Sequence, residues 1–311
     1  MQVGVLLVHG IGDQGPDWAD GTIQSLKARL ASQLAALLPG QPPVDLQQAF
    51  VIGRAHWADV LQEHQRALRR MLEAAHAPAP SSGSWWRRLL GVAAHEARRQ
   101  ESRFIAEFVG DVIGYRSPAT RAAIYETITS VLNDLLGRLE PGSPKVPLTI
   151  IAHSLGTVIS SDYVWDLTNA RRAKGRDGFH DRWRLENFFT AGSPLALFSL
   201  QYGGPALFNQ PIAVESPRGR WVNLYDPNDP IAMPLKPLNE AYYRVVLADA
   251  PVRAGTYLLA HMRYFEDEET LTIISRKLAL DWCASSARLP EARLRELGAH
   301  YDRTLGLAPA A

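Results

Sequence analysis

The segment Ile150-Ile151-Ala152-His153-Ser154-Leu155-Gly156 constrains this chain more than any other. An apolar run of strand character breaks at a serine and continues into Thr157-Val158-Ile159, so strand, sharp turn and helix follow one another within a few residues. A serine on such a turn sits in a strained backbone conformation at the strand's carboxyl end. The positions two before and two after it must then be small to avoid collision. Ala152 and Gly156 meet that requirement. The plainer alternative is a serine that only caps the helix.

Other short apolar runs bounded by turn residues read as buried parallel strands: Val3 to Val8, Phe50 to Arg54, Leu148 to Ala152, Asn187 to Thr190, Trp221 to Tyr225 and Tyr243 to Leu247. Helical stretches separate them. Ile23, Leu26, Leu30, Leu34, Leu37 and Leu38 recur at helical spacing before Pro39-Gly40. Ser117-Pro118 reads as a cap and first-turn proline, opening a helix with a stripe of Ile124, Ile128, Val131, Leu135 and Leu139. Strands alternating with helices predict an α/β fold, a mostly parallel sheet flanked by helices. The whole chain, 1–311, is expected to form a single domain of this kind.

Two stretches fall outside that rhythm. Residues 56–115 are long and helical in period, with Val60, Leu61, Leu68, Met71 and Leu72 on one amphipathic run, a breaker stretch from Ala77 to Gly83, and Trp85-Trp86-Arg87-Arg88-Leu89-Leu90. They read as a helical, lid-like insertion whose apolar stripes must be buried against something. Residues 285–311 read as a C-terminal tail. The charged stretch from Arg171 to Asp181 reads as a solvated loop.

Lys and Arg number 33 against 32 Asp and Glu, so no basic field marks a nucleic-acid binder. The single cysteine, Cys283, has no internal disulfide partner and sits in an apolar helical run. The chain opens directly into strand-like sequence rather than a signal peptide, and no apolar stretch approaches the roughly 20 residues that span a bilayer. The expectation is a cytoplasmic protein with no transmembrane segment. Peripheral membrane contact through the Trp85-Trp86 region stays open.

The Ala152–Gly156 turn resembles the nucleophile elbow of the α/β-hydrolase superfamily, with alanine in place of the usual first glycine. Leu7-Val8-His9-Gly10-Ile11-Gly12 follows the first strand and resembles the His-Gly oxyanion loop of lipases and esterases. That resemblance implies the backbone N–H groups of Ile11 and Leu155 as oxyanion donors, with His9 bonding the loop. The superfamily's chain order of serine, acid and histidine leaves His180, His261 and His300 as bases. His261 stands in Ala260-His261-Met262-Arg263-Tyr264-Phe265, similar to the His-x-x-Tyr-aromatic pattern of many lipases. Asp226 and Asp229 both follow the run Trp221 to Tyr225, where the fold places its acid, and Asp249 follows the next run. Asp229-Pro230-Ile231-Ala232-Met233-Pro234 resembles the acid-bearing segment of lipases, which favours Asp229, with Asp226 as runner-up. Ala191-Gly192-Ser193-Pro194 reads as a turn at the floor of the cleft.

The resemblance thus implies a serine esterase or lipase-like hydrolase with catalytic Ser154, Asp229 and His261, acting on a small-molecule or lipid-like acyl substrate. It implies no cofactor, and no close His and carboxylate cluster in the sequence offers metal ligands at suitable spacing. The insertion at 56–115 is then expected to cover the cleft and favour apolar acyl groups. A thioesterase or acyltransferase would use the same residues. A non-catalytic binding or scaffold protein of the same fold is the reading from another class. Neither the physiological substrate nor the oligomeric state is legible.

Overall fold

The computed structural model describes residues 1–11, 15–61, 108–140 and 145–306. Its centre is a six-stranded sheet in the order β2-β1-β3-β4-β5-β6, with every neighbouring pair parallel. The strands are β1 (Val3–Val8), β2 (Phe50–Ala55), β3 (Val146–His153), β4 (Trp183–Ala191), β5 (Arg220–Tyr225) and β6 (Ala248–Pro251). Parallel sheets need cover on both faces, which is why β1 and most of β3 are buried at consecutive rather than alternate positions.

The cover comes from α1 (Asp20–Leu37), α2 (Pro118–Gly137), α3 (Leu155–Arg172), and α6 (Glu268–Ser285), which follows the short α4 (Glu240–Val245) and α5 (Leu258–Met262). Leu26, Leu30 and Leu34 of α1 and Ile274 and Leu278 of α6 share one apolar cluster with Val3, Val5 and Leu7 of β1. The opposite face of β1 carries Leu6, whose register partner Gly53 lies so close to α2 that a Cβ there would meet Val131 at 2.8 Å. Fully burying one such Leu or Val is worth about 1.5–3 kcal/mol, so these stripes fix which face each helix presents. Helix α6 is capped by Asp267, whose carboxylate accepts from the Thr270 N–H at 2.7 Å. Cys283 is buried on this helix, and burial pushes its thiol up to about 11.

The run Tyr243 to Leu247, read above as a strand, is helical through Val245. Asn239 caps α4 by accepting from the N–H groups of Ala241 and Tyr242, and strand β6 begins only at Ala248. The stretch beyond Ser285 is more than a polar tail, because α7 (Glu291–Thr304) buries Leu294 and Tyr301.

The chain divides into two compact units, one of residues 1–10, 16–55 and 129–311, the other of 11–15 and 56–128. In the second, residues 108–115 are helical and a Cβ on Gly114 would meet Leu61 at 2.7 Å. Most of the expected insertion, including Leu68, Met71, Leu72 and Ala77 through Leu90, lies outside the described residues. Among the described residues no helix is long and apolar enough to cross a membrane.

Candidate active site

Ser154 stands between β3 and α3 with φ 51° and ψ −130°, a conformation that costs an L-residue about 1–3 kcal/mol. Neighbouring backbone holds it there. The Ser154 N–H donates to Ala191 O at 2.9 Å, and its own carbonyl accepts from the Thr157 N–H at 2.9 Å and the Thr157 hydroxyl at 2.7 Å. The need for small neighbours is visible: a Cβ on Gly156 would lie 2.3 Å from His9 O, and one on Gly10 would lie 2.6 Å from the Ser154 Cβ. The loop after β1 and the serine turn are therefore pressed together. His9 braces this loop, donating from Nδ1 to Gly10 O at 2.7 Å and packing edge-on against Trp18.

The structure brings Ser154, His261 and Asp229 together. His261 Nε2 lies 2.7 Å from Ser154 Oγ, and His261 Nδ1 lies 2.8 Å from Asp229 Oδ2. All three residues are buried. A carboxylate only accepts, so Nδ1 carries the imidazole proton and Nε2 is left as the acceptor for the serine hydroxyl. Burial works to raise the Asp229 carboxyl, but bonds from His261, the Ile231 N–H and the Tyr264 hydroxyl outweigh it and hold its pKa below the usual value.

Asp226 does not reach His261. Its Oδ1 accepts from the Asn228 N–H at 2.8 Å and its Oδ2 from the Gly255 N–H at 3.0 Å, tying two loops together. Asp249 is fixed on β6 by Asn223 Nδ2 and the N–H groups of Leu235 and Lys236. His180 accepts from the N–H groups of Arg182 and Trp183 ahead of β4, and His300 is exposed on α7. The Ser193 hydroxyl bonds Thr157 Oγ1 at 2.8 Å and takes the Leu195 N–H at 3.3 Å, beneath the serine turn.

Two contributors went unread in the sequence. Tyr264 donates to Asp229 Oδ2 at 2.9 Å while its oxygen accepts from the Asp226 N–H at 2.8 Å, so one phenol locks both aspartate positions. Burial and the Asp229 charge push its pKa upward, which keeps it a neutral donor. Gly192, at φ 61°, leaves room for that ring, because a Cβ there would meet Tyr264 at 2.8 Å. The sequence signal for it is the three-residue spacing from His261 to Tyr264.

His153 is the second. Its Nε2 donates to His261 O at 2.6 Å, and its ring lies 5.1 Å from the His261 ring. Burial first, and the neighbouring His261 next, lower its pKa to about 3, so it stays neutral beside the site.

Of the expected oxyanion donors, Leu155 is the first residue of α3, where N–H groups have no intrahelical acceptor. Ile11 is buried but belongs to the other compact unit, and residues 12–14 after it lie outside the described residues.

No family model and no curated protein matches the chain. A solved structure from work on LipS and LipT, two metagenome-derived lipolytic enzymes, overlaps 89% of this chain and 92% of its own at 11% identity, with a TM-score of 0.36. A likeness that distant transfers no activity.

Proposed function

We propose that the protein is a serine hydrolase of the α/β-hydrolase type, cleaving carboxylic esters through an acyl-enzyme on Ser154. One observation carries the reading: a single buried imidazole with Ser154 Oγ at 2.7 Å on one nitrogen and the Asp229 carboxylate at 2.8 Å on the other. A serine that only capped a helix would need no such partner. The φ of 51° supports the same reading, because strain of that kind persists where it presents a side chain for use.

In the reaction, Ser154 Oγ attacks the ester carbonyl as its proton passes to His261 Nε2. Asp229 stabilises the imidazolium that forms, and the neutral His153 adds no repulsion. The negative charge on the former carbonyl oxygen falls to the Leu155 N–H at the start of α3. Collapse breaks the bond to the alkoxide, which leaves as the alcohol with the proton from His261. Water activated by the same imidazole then attacks the acyl-enzyme, releasing the acid and restoring Ser154.

Hydrolysis of p-nitrophenyl esters tests this. The wild type should turn over the butyrate ester, and Ser154→Ala should lose at least a thousandfold in kcat with an unchanged circular dichroism spectrum. Retention of activity in that variant would exclude Ser154 as the nucleophile. The same series, extended from acetate to octanoate, reads the preference for longer acyl chains expected from the apolar stripes of residues 56–115.

A further inference from the structure

The end of the sheet opposite Ser154 holds a cavity that ester cleavage does not use. Arg184 at the start of β4 and Arg220 at the start of β5 line it, so it lies at the strands' amino ends. Ser154 follows the carboxyl end of β3, level with Ala191. At about 3.3 Å per residue, the stretch of β4 from Arg184 to Ala191 separates the two places by roughly 23 Å. The cavity has a volume of about 660 Å³, within the range of small-molecule sites, and α6 and α7 supply most of its remaining wall.

Four carboxylates line it, and Glu215 is taken by Lys145 and the Phe179 N–H, yet two of its buried donors are short of acceptors. Lys277 is 4% exposed, and its ammonium bonds Asp281 alone among the described residues, which leaves two of its three N–H groups unmet. Tyr301 is 1% exposed, and its hydroxyl has no partner among the described residues. Burial, then the charges of Asp281 and Asp302, raise that phenol's pKa well above the usual value, so it stays protonated. Arg184, Arg218 and Arg220 are matched to Glu186, Glu291 and Asp302. Arg295, exposed on α7 at the wall, has no carboxylate partner among the described residues. Asp281 is already engaged by Lys277 and by Asn187 Nδ2 at 2.7 Å, so it offers little to a cation. Leu280, Ala284 and Leu294 complete the lining with apolar surface.

We propose that this cavity is a second ligand site, for a small anion on an apolar body, such as a carboxylate carrying a short alkyl chain. Lys277 and Tyr301 bind the head group, Arg295 adds charge at the wall, and Leu280, Ala284 and Leu294 pack the chain. Acceptor oxygens are what the unmet donors lack, whereas a cationic ligand would face Lys277 and Arg295.

Octanoate is the probe, titrated calorimetrically into the full-length protein, with inorganic phosphate as a second arm. The variants are Tyr301→Phe, which removes only an unpartnered hydroxyl, and Arg295→Ala, which alters an exposed position. Lys277 is left in place because its loss would strand Asp281. The expected result is saturable octanoate binding at one site, weakened at least fivefold in each variant, with the ligand-free melting temperature of Tyr301→Phe not lowered. Absence of binding, or binding equal in all three proteins, overturns the proposal. Phosphate binding as tightly as octanoate overturns the role given to the apolar wall. A lower ligand-free melting temperature in Tyr301→Phe means the hydroxyl already holds a buried water, and overturns its assignment to a ligand. None of these outcomes touches the reading of Ser154.

Discussion

His261 has two ring nitrogens and a different partner on each, and that asymmetry is what makes the arrangement chemically directional. Asp229 at Nδ1 selects the tautomer that leaves Nε2 free to accept from Ser154. Asp229→Asn can present its NH₂ group to the ring and favour the other tautomer, so kcat for p-nitrophenyl butyrate should fall by about three to four orders of magnitude. Asp226→Asn removes an acceptor from a loop clamp rather than from the imidazole. It should cost about 1 kcal/mol of stability and less than tenfold in kcat. Steady-state kinetics and urea melts on the two variants separate the roles, and a larger kcat loss at Asp226 would reverse them. The two aspartates were separable in sequence only through a motif resemblance. What distinguishes them physically is Tyr264, 35 residues beyond Asp229, whose hydroxyl bonds that carboxylate and the Asp226 backbone together.

At the scale of elements, the strand–turn–helix around Ser154 was legible because its constraints are local: an apolar run, small residues at the right spacing, and a helix. Strand β1 was legible for the same reason, with Val3–Val8 buried at every position. Strand β6 was not. Tyr243, Val245 and Val246 have strand-like character, yet Asn239 starts a helix there, and Tyr242 packs its ring 5.4 Å from Phe208 and 5.8 Å from Trp221. The true strand, Ala248-Asp249-Ala250-Pro251, has weak intrinsic preference and is held by pairing with β5 and by the bonds to Asp249. Tertiary pairing outweighed propensity. The close approach of the serine turn to the β1 loop yields a prediction at this scale. Gly156→Ala places a methyl 2.3 Å from the backbone oxygen of His9, which cannot swing aside, so it should destabilise by about 1–3 kcal/mol. Gly21→Ala, in α1 with open space around its Cβ, should instead stabilise by about 0.5–1 kcal/mol. Denaturant midpoints of the two variants check the contrast, and equal shifts would mean the two loops are not in contact.

For the whole molecule, the buried site makes stability depend on acid in a defined direction. His153 has a folded pKa of about 3 against an ordinary 6.5, so between those values the unfolded chain binds the extra proton. Stability therefore falls as pH drops from about 6.5 toward 3, by up to about 1.4 kcal/mol per pH unit from this residue. The lowered Asp229 carboxyl acts in the same sense at lower pH, contributing above its unfolded pKa and losing that contribution as pH falls through its folded one. His153→Gln should flatten the limb between pH 6.5 and 4 in urea melts, while an unchanged slope would place the acid sensitivity elsewhere. The sheet meanwhile separates two chemistries, with the strained serine at the strands' carboxyl ends and the donor-rich cavity at their amino ends. On the proposed function, His261 activates the Ser154 hydroxyl at the first of these. Intact-protein and peptide mass spectrometry after incubation with a fluorophosphonate tests it most directly. We expect one adduct per chain on the peptide containing Ser154, slowed at least a hundredfold in His261→Ala and absent in Ser154→Ala. An adduct on Ser193, or full labelling of Ser154→Ala, would contradict the account.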